Sequence, residues 1–312
     1  DRKTQLELGE YQGVECIRAK DGLLYAAAWN GAALKKRTSD LVRTDGGHAA
    51  AILSVEGELT GFAFDAAGDV WLTQLTTAGG TLCRAKHDSW GAAVAQVVTQ
   101  LDGAPLGAVS AVEVSPAGKV YFAVAAAAGA ENGLESALRT ELLAHTATGC
   151  VYVYDPAART VEKVLGGVAG AAGLALSPDG SALYVSDLGS RCIWSAAASA
   201  RSLTAGGKGC QSSFNGLPGY PGALALDEDS TLYISYRWAS SSWLERHAGS
   251  TFLRGVALRL SESMQENLFS LPADGIRAEA VSTASGSWLW SFSGKPQGSS
   301  SALCPVENRV YF

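Results

Sequence analysis

An all-β, six-bladed β-propeller with a helical or loop cap on one face is the fold this sequence predicts, from three observations. A phrase made of a small turn and an aromatic-centred strand recurs six times. Glycine fills 36 of 312 positions with no three-residue period, which excludes collagen and calls for many tight turns. The composition is 47% apolar and 17% charged, against about 25% charged in an average domain, so a large core forms and disorder is excluded.

The repeat fixes the number of blades expected. Its copies are Asp21-Gly22-Leu23-Leu24-Tyr25, Gly68-Asp69-Val70-Trp71, Gly118-Lys119-Val120-Tyr121 and Gly180-Ser181-Ala182-Leu183-Tyr184. Ser230-Thr231-Leu232-Tyr233 and Gly286-Ser287-Trp288-Leu289 complete the set, at intervals of about 46 to 63 residues. Each copy alternates like a half-buried strand, and further strands follow, as in Cys150–Tyr154 and Thr160–Leu165. Four short antiparallel strands per repeat make one propeller blade. The prediction is one domain over residues 1–312, since a β-sandwich needs about seven to nine strands in all.

Two segments interrupt the rhythm. Residues 123–149 carry leucines at 134, 138 and 142, one helical face, so a helix is expected near 131–143. Residues 236–255 hold Trp238, Trp243, Leu244 and Phe252 among polar residues. Long connections in a compact domain tend to be functional lids, so both are expected as cap elements.

The net charge of −6 argues against a nucleic-acid partner, because such binders present a basic face. No apolar run reaches the 18 residues of a membrane span; the run from Val120 to Ala130 stops near ten. The chain opens on Asp1 and closes on a strand-like Arg309–Phe312, so the expectation is that any signal peptide or tail anchor was removed or never included. The six cysteines (Cys16, Cys83, Cys150, Cys192, Cys210, Cys304) lack metal spacing. They read either as buried thiols or as one to three disulfides of a secretory-pathway chain, extracellular, lumenal or held at the cell surface through a removed anchor. Cys16 with Cys304, closing the ring, and Cys192 with Cys210 are the pairs expected.

The four histidines fall in no metal spacing, and no GxSxG elbow occurs. Two carboxylates stand out. Glu15 in Gly13-Val14-Glu15 opens the first inner strand, and Glu279 in Ala278-Glu279-Ala280-Val281 is expected to open the sixth. An unpaired buried carboxylate is costly, so each needs a partner or a task; a structural carboxylate bonded to backbone amides is the alternative for both. In a closed ring the two would be neighbours.

Several phrases carry a family resemblance over nearly the whole chain. Thr148-Gly149-Cys150-Val151-Tyr152-Val153-Tyr154-Asp155-Pro156 resembles TGRLxxYDP, and Ala172–Asp179 resembles NGVALSxD. Leu217-Pro218-Gly219-Tyr220-Pro221 matches LPGYPDN up to the proline, and Leu101–Leu106 resembles VDGxPF. These are phrases of the strictosidine synthase-like propellers, relatives of paraoxonases and calcium-dependent lactonases. The resemblance implies four tunnel positions that hold calcium in the metal-dependent members. Glu15 keeps its carboxylate, while the others fall on Ser110, Ala172 and Gly222. Calcium takes six to eight oxygens with carboxylate charge, so this set implies no metal and no cofactor.

Strictosidine synthase itself works without metal, with a glutamate in an FEQI-x5-GLLY context. Glu279 followed by Gly286-Ser287-Trp288-Leu289 is similar in spacing. The resemblance thus implies Glu279 as the acid–base residue for joining an amine to an aldehyde, its pKa raised by desolvation in an apolar tunnel. A small amine-type ligand at the tunnel mouth is the first expectation. A non-catalytic receptor or scaffold with a protein partner is the second, and a metal-dependent lactonase or hydrolase the third.

Overall fold

The computed structural model describes residues 8, 10–268, 276–294, 302–307 and 309–312. Strands dominate, and they hydrogen-bond into four-stranded antiparallel blades arranged as a propeller. Blade one is β1 (Gly13–Lys20), β2 (Leu23–Asn30), β3 (Thr38–Thr44) and β4 (Ala49–Glu56). Blade two is β5 (Glu58–Phe64), β6 (Val70–Thr76), β7 (Gly79–Ala85) and β8 (Ala95–Val98), followed by the short pair β9 (Gln100–Leu101) and β10 (Ala104–Pro105). Blade three is β11 (Ala108–Val114), β12 (Val120–Ala126), β13 (Gly149–Asp155) and β14 (Thr160–Val168). Blade four is β15 (Ala171–Leu176), β16 (Ala182–Asp187), β17 (Cys192–Ala197) and β19 (Cys210–Phe214), with the intervening β18 (Leu203–Thr204) paired in parallel to β14. Blade five is β20 (Gly219–Leu226), β21 (Thr231–Ala239), β22 (Ile276–Ser282) and β23 (Trp288–Ser293).

Among the described residues there are five blades, not six. The first five copies of the repeated phrase do mark the turn between the first and second strands of a blade. The sixth does not: Gly286 lies in the turn from β22 to β23, where its N–H donates to Ser282 O. A glycine turn between alternating strands marks any hairpin of a blade, so the pattern alone could not tell the inner hairpin from the outer one. What lies between blades five and one is the hairpin β24 (Cys304–Val306) and β25 (Arg309–Tyr311). Cys304 packs with Ile17 and Ala26 of blade one, and Leu303 packs with Ala225 and Ala278 of blade five.

The two inner strands of a blade are covered on both sides by neighbouring blades, so they read as continuous apolar runs. β12, Val-Tyr-Phe-Ala-Val-Ala-Ala, is buried at every position. The turns after the inner strands hold themselves together locally. Asp65 Oδ1 accepts from the N–H groups of Ala67 and Asp69, and Asp227 Oδ1 accepts from Asp229 and Thr231. Asp179, held by Ser177 and Ser181, has its carboxyl pulled down to about 2.

Helices sit in two connections, each between the second and third strand of a blade. The first expected insertion narrows to residues 127–148 and carries α1 (Leu134–Ala144), close to the predicted 131–143. Leu134, Leu138 and Leu142 are all buried, as their spacing requires. The second begins only after Ala239, because β21 runs through Trp238, and it extends further than the sequence suggested. It holds α2 (Ser242–Arg246), α3 (Thr251–Ala257) and α4 (Glu262–Asn267). α1 is fixed at both ends. Glu58 Oε2 accepts from Leu134 N–H at its start at 2.7 Å, and Arg254 of α3 donates to Leu142 O and Leu143 O at its end, both at 2.8 Å. An anion at the N-terminus and a cation at the C-terminus both suit the helix dipole.

All six cysteines are free. The expected Cys192–Cys210 bond is ruled out by register: Cys210 pairs with Ala196, which puts Cys192 four residues, about 13 Å, along the strand. A disulfide needs Cα atoms within about 7 Å. Cys304 does pack beside β1, as ring closure required, but Cys16 turns its sulfur toward Phe62 O of blade two.

Candidate functional site

The channel is built by one recurring irregularity. Every inner strand breaks register with its neighbour near the helix-bearing end. The break lies between Val14 and Cys16, Leu59 and Gly61, Val109 and Ala111, Ala171 and Gly173, and Pro221 and Leu224. The residues skipped are Glu15, Thr60, Ser110, Ala172 and the pair Gly222–Ala223. A β-bulge leaves its extra residue unpaired and re-aims its side chain. Glu15, Thr60, Ser110, Ala172 and Ala223 all line one central cavity of about 30 Å³. Three of the four tunnel positions read from the sequence, Glu15, Ser110 and Ala172, are therefore brought together. Gly222 sits in the fifth bulge and turns its carbonyl away, accepting from Ser186 at 2.8 Å. The strands approach so closely here that a Cβ on Gly173 would lie 2.3 Å from Gly222 O.

The chemistry at the centre comes from a residue the sequence reading did not single out. Arg237, near the end of β21, donates from Nη2 to Glu15 Oε2 at 2.8 Å. Both side chains are buried, 3% and 9% exposed. A lone charge in the apolar strand Thr231–Ala239 was the available signal, because an arginine there needs a buried partner. Arg237 Nε and Nη1 have no protein partner.

A second ion pair borders the same end. Arg37 Nη1 bonds Glu58 Oε1, and its guanidinium lies 4.1 Å from the Trp29 ring centre. Glu58 is also the residue that holds the start of α1, so Leu134 reaches the cavity wall. Further along the channel, Arg18 of β1 bonds Glu113 of β11. Burial pushes the Glu113 carboxyl up, against the pull of Arg18.

The donor set does not fit a calcium ion. Glu15 is the one carboxylate at the five bulges, and Arg237 already engages it. The Ser110 hydroxyl donates to Ala171 O at 2.6 Å, and Thr60 donates to Thr73 O, so even the nearby carbonyls are occupied. Among the described residues no cluster of three or more His, Cys, Asp or Glu is placed to hold a metal. Six to eight oxygens cannot be assembled here.

Glu279 is placed differently from the expectation. It lies on β22, the third strand of blade five, and not at the opening of an inner strand. Its Oε2 accepts from the Tyr236 hydroxyl, its exposure is 9%, and it is not among the residues lining the cavity. Desolvation raises its pKa, and the Tyr236 hydrogen bond works against that rise. Glu15 and Glu279 are thus held by different partners, Arg237 and Tyr236, from adjacent positions of β21.

Comparison with known proteins agrees with the fold and refines the kinship. Residues 93–244 match the family described as SMP-30/Gluconolactonase/LRE-like region. That stretch includes Ser110, Ala172, Gly222 and Arg237 and leaves out Glu15 and Glu279. No curated protein matches by sequence. Among solved structures, a gluconolactonase from Xanthomonas campestris superposes with a TM-score of 0.62 at 15% identity, covering 96% of this chain and 83% of that one. Regucalcin from Agrobacterium tumefaciens gives 0.57 at 12%, covering 96% and 79%. A chain of a nidogen–laminin complex gives 0.56 at 14%, covering 96% and 82%. At these identities the likeness establishes the propeller fold. The family match is to the gluconolactonase-like region over residues 93–244; the strictosidine synthase-like kinship that the phrases suggested is not shown.

Proposed function

We propose that this chain is a metal-free propeller acting as a binding module, and not a metal-dependent lactonase. One observation carries the reading: the Arg237 guanidinium occupies the only carboxylate among the channel bulges. Where a lactonase of this fold would need a divalent cation, this chain supplies a covalently tethered monovalent one. A cavity of about 30 Å³ also falls far below the roughly 300 Å³ and upward of ordinary small-molecule pockets. The nidogen–laminin neighbour supports the reading in one respect, since that chain belongs to a protein–protein complex.

Amine–aldehyde condensation through Glu279 has weaker support. Its carboxylate is engaged by Tyr236 and stands outside the cavity wall. The test is calorimetric titration with calcium and with zinc, alongside a lactone hydrolysis assay with the same ions. No saturable heat and no ion-dependent turnover are expected. Micromolar calcium affinity would overturn the proposal, as would hydrolysis that chelation abolishes.

A further inference from the structure

The outer strand of a propeller blade is a sheet edge, and proteins blunt such edges with charge, brevity or cover so that no other strand pairs with them. Four of the five outer strands here are blunted. β4 ends on Glu56, and its exposed apolar residues are all alanines. β8 is only four residues long, and β19 exposes Gln211 and Ser213. β14 carries Glu162 and Lys163 and is flanked by β18. β23, which ends the sheet of blade five among the described residues, has none of these devices. From Ala280 to Gly294 the chain carries no charge and no proline. Within that run Trp288, Leu289 and Trp290 are 49%, 52% and 36% exposed.

These consecutive side chains do not share a face. Trp288 meets Phe214 of blade four edge-on, with ring centres 5.9 Å apart. Trp290 lies 5.9 Å from Tyr233, which packs with the cluster of Leu303 on the opposite side of blade five. A flat partner laid on one face would cover one indole and leave the other in water. A strand added at the edge continues the sheet and flanks both faces at once. Together the three side chains expose on the order of 300 Å² of apolar surface, a patch size that on a monomer often marks an interaction site.

Charge selects the occupant. The chain carries a net charge of −6, so two copies repel each other over most of their surface. The neutral run at β23 is where a second copy can approach without like charges meeting. When a strand pairs with its own copy in antiparallel fashion, one residue stands on the two-fold axis. With Ser291 on the axis, Trp290 lies opposite Phe292 of the other copy, an aromatic cross-strand pair, and the small serine faces itself. We propose that two copies of this chain associate edge to edge through β23, antiparallel about Ser291, joining their fifth blades into one continuous sheet. Such an isologous contact uses up both edges, so association stops at the dimer. The inference goes beyond the binding-module reading and takes nothing from the channel.

Sedimentation equilibrium of the wild-type chain from about 2 to 200 µM tests the proposal, because an interface near the low end of the size range gives micromolar association. A concentration-dependent rise to twice the chain mass is expected, with slower hydrogen exchange along β23 in the dimer. A monomer throughout would overturn the proposal. Ser291 is exposed, so Ser291→Lys and Ser291→Glu leave the core untouched. Each alone should weaken association by about tenfold or more, because two like charges then meet on the axis. An equimolar mixture of the two variants should restore it, since opposite charges now face each other. Dimers indifferent to both substitutions would place the interface elsewhere and defeat the proposal. Single variants that dissociate and are not rescued on mixing would refute pairing about Ser291. Calcium titration, which decides the metal-free reading, is a separate measurement, and neither result predicts the other.

Discussion

Arg237 and Glu15 are 222 positions apart in the chain, and a single hydrogen bond of 2.8 Å joins them across the channel. The contact links the second strand of blade five to the first strand of blade one. Among the described residues the short hairpin β24–β25 packs against both blades, and the ion pair is a direct polar link between them. Its burial makes it a constraint on geometry more than a source of net stability.

Removing one partner should therefore cost far more than removing both. Arg237→Met leaves Glu15 buried without its cation and should destabilise by about 3–5 kcal/mol. Arg237→Met combined with Glu15→Gln should recover most of that loss, since a neutral pair carries no uncompensated charge. Urea unfolding of the four proteins of the cycle measures it. If the single variant proves as mild as the double, the pair is not the constraint described here.

Glu58 should control the order of α1. Its carboxylate accepts from Leu134 N–H and pairs with Arg37, so Glu58→Ala removes the helix's N-terminal acceptor and the partner of a cation together. Hydrogen exchange across the first turn of α1 should speed up about tenfold or more, given that a lost helix-terminal acceptor costs about 1–2 kcal/mol. The C-terminal turn, held by Arg254 on Leu142 O and Leu143 O, should change less. Equal acceleration at both ends would contradict a local role.

Much of this was legible in the sequence, and the gaps have physical causes. Strand alternation and glycine turns gave the propeller and the helix at Leu134–Ala144, because both periodicities follow from which face meets the core. The same alternation misplaced Gly286 by one hairpin, since the outer and inner turns of a blade obey identical backbone rules. That slip moved Glu279 from a third strand to an inner strand. Glu15 stood out as a carboxylate at the opening of an apolar strand, and Ser110 and Ala172 were found through a resemblance that follows the bulges. Thr60 was missed because the resemblance supplied no phrase there. Arg237 was missed because its meaning depends on a partner 222 residues away, and no local pattern encodes that.

The thiols offer a direct check on covalent closure. Denaturation without reductant should release six titratable thiols per chain, because all six cysteines are free. In the native state, burial pushes Cys83 and Cys192 up to about 12 and Cys304 up to about 11. Thiolate is the reactive form, so alkylation of these three at pH 8 should be slow until the protein unfolds. Four thiols instead of six would show a disulfide, and Cys16 with Cys304 would be the pair to examine by peptide mapping.

Glu279 supplies the pH dependence. Desolvation raises its folded pKa above the ordinary glutamate value near 4.3, with the Tyr236 hydroxyl opposing part of the rise. A raised carboxyl means that the native state binds more protons than the unfolded chain within that window. Stability from this group is then fully present below the unfolded pKa and is lost as pH climbs through the folded one. Glu279→Gln cannot lose a proton, so its stability relative to wild type should improve from pH 4 toward pH 7. Tyr236→Phe removes the hydrogen bond that favours the carboxylate, which should push the folded pKa higher still and steepen the loss. Urea midpoints at pH 4, 5.5 and 7 for the three proteins resolve the sign. Parallel curves for wild type and Glu279→Gln would mean that this carboxylate titrates alike in both states, and its burial beside Tyr236 would then carry no linkage at all.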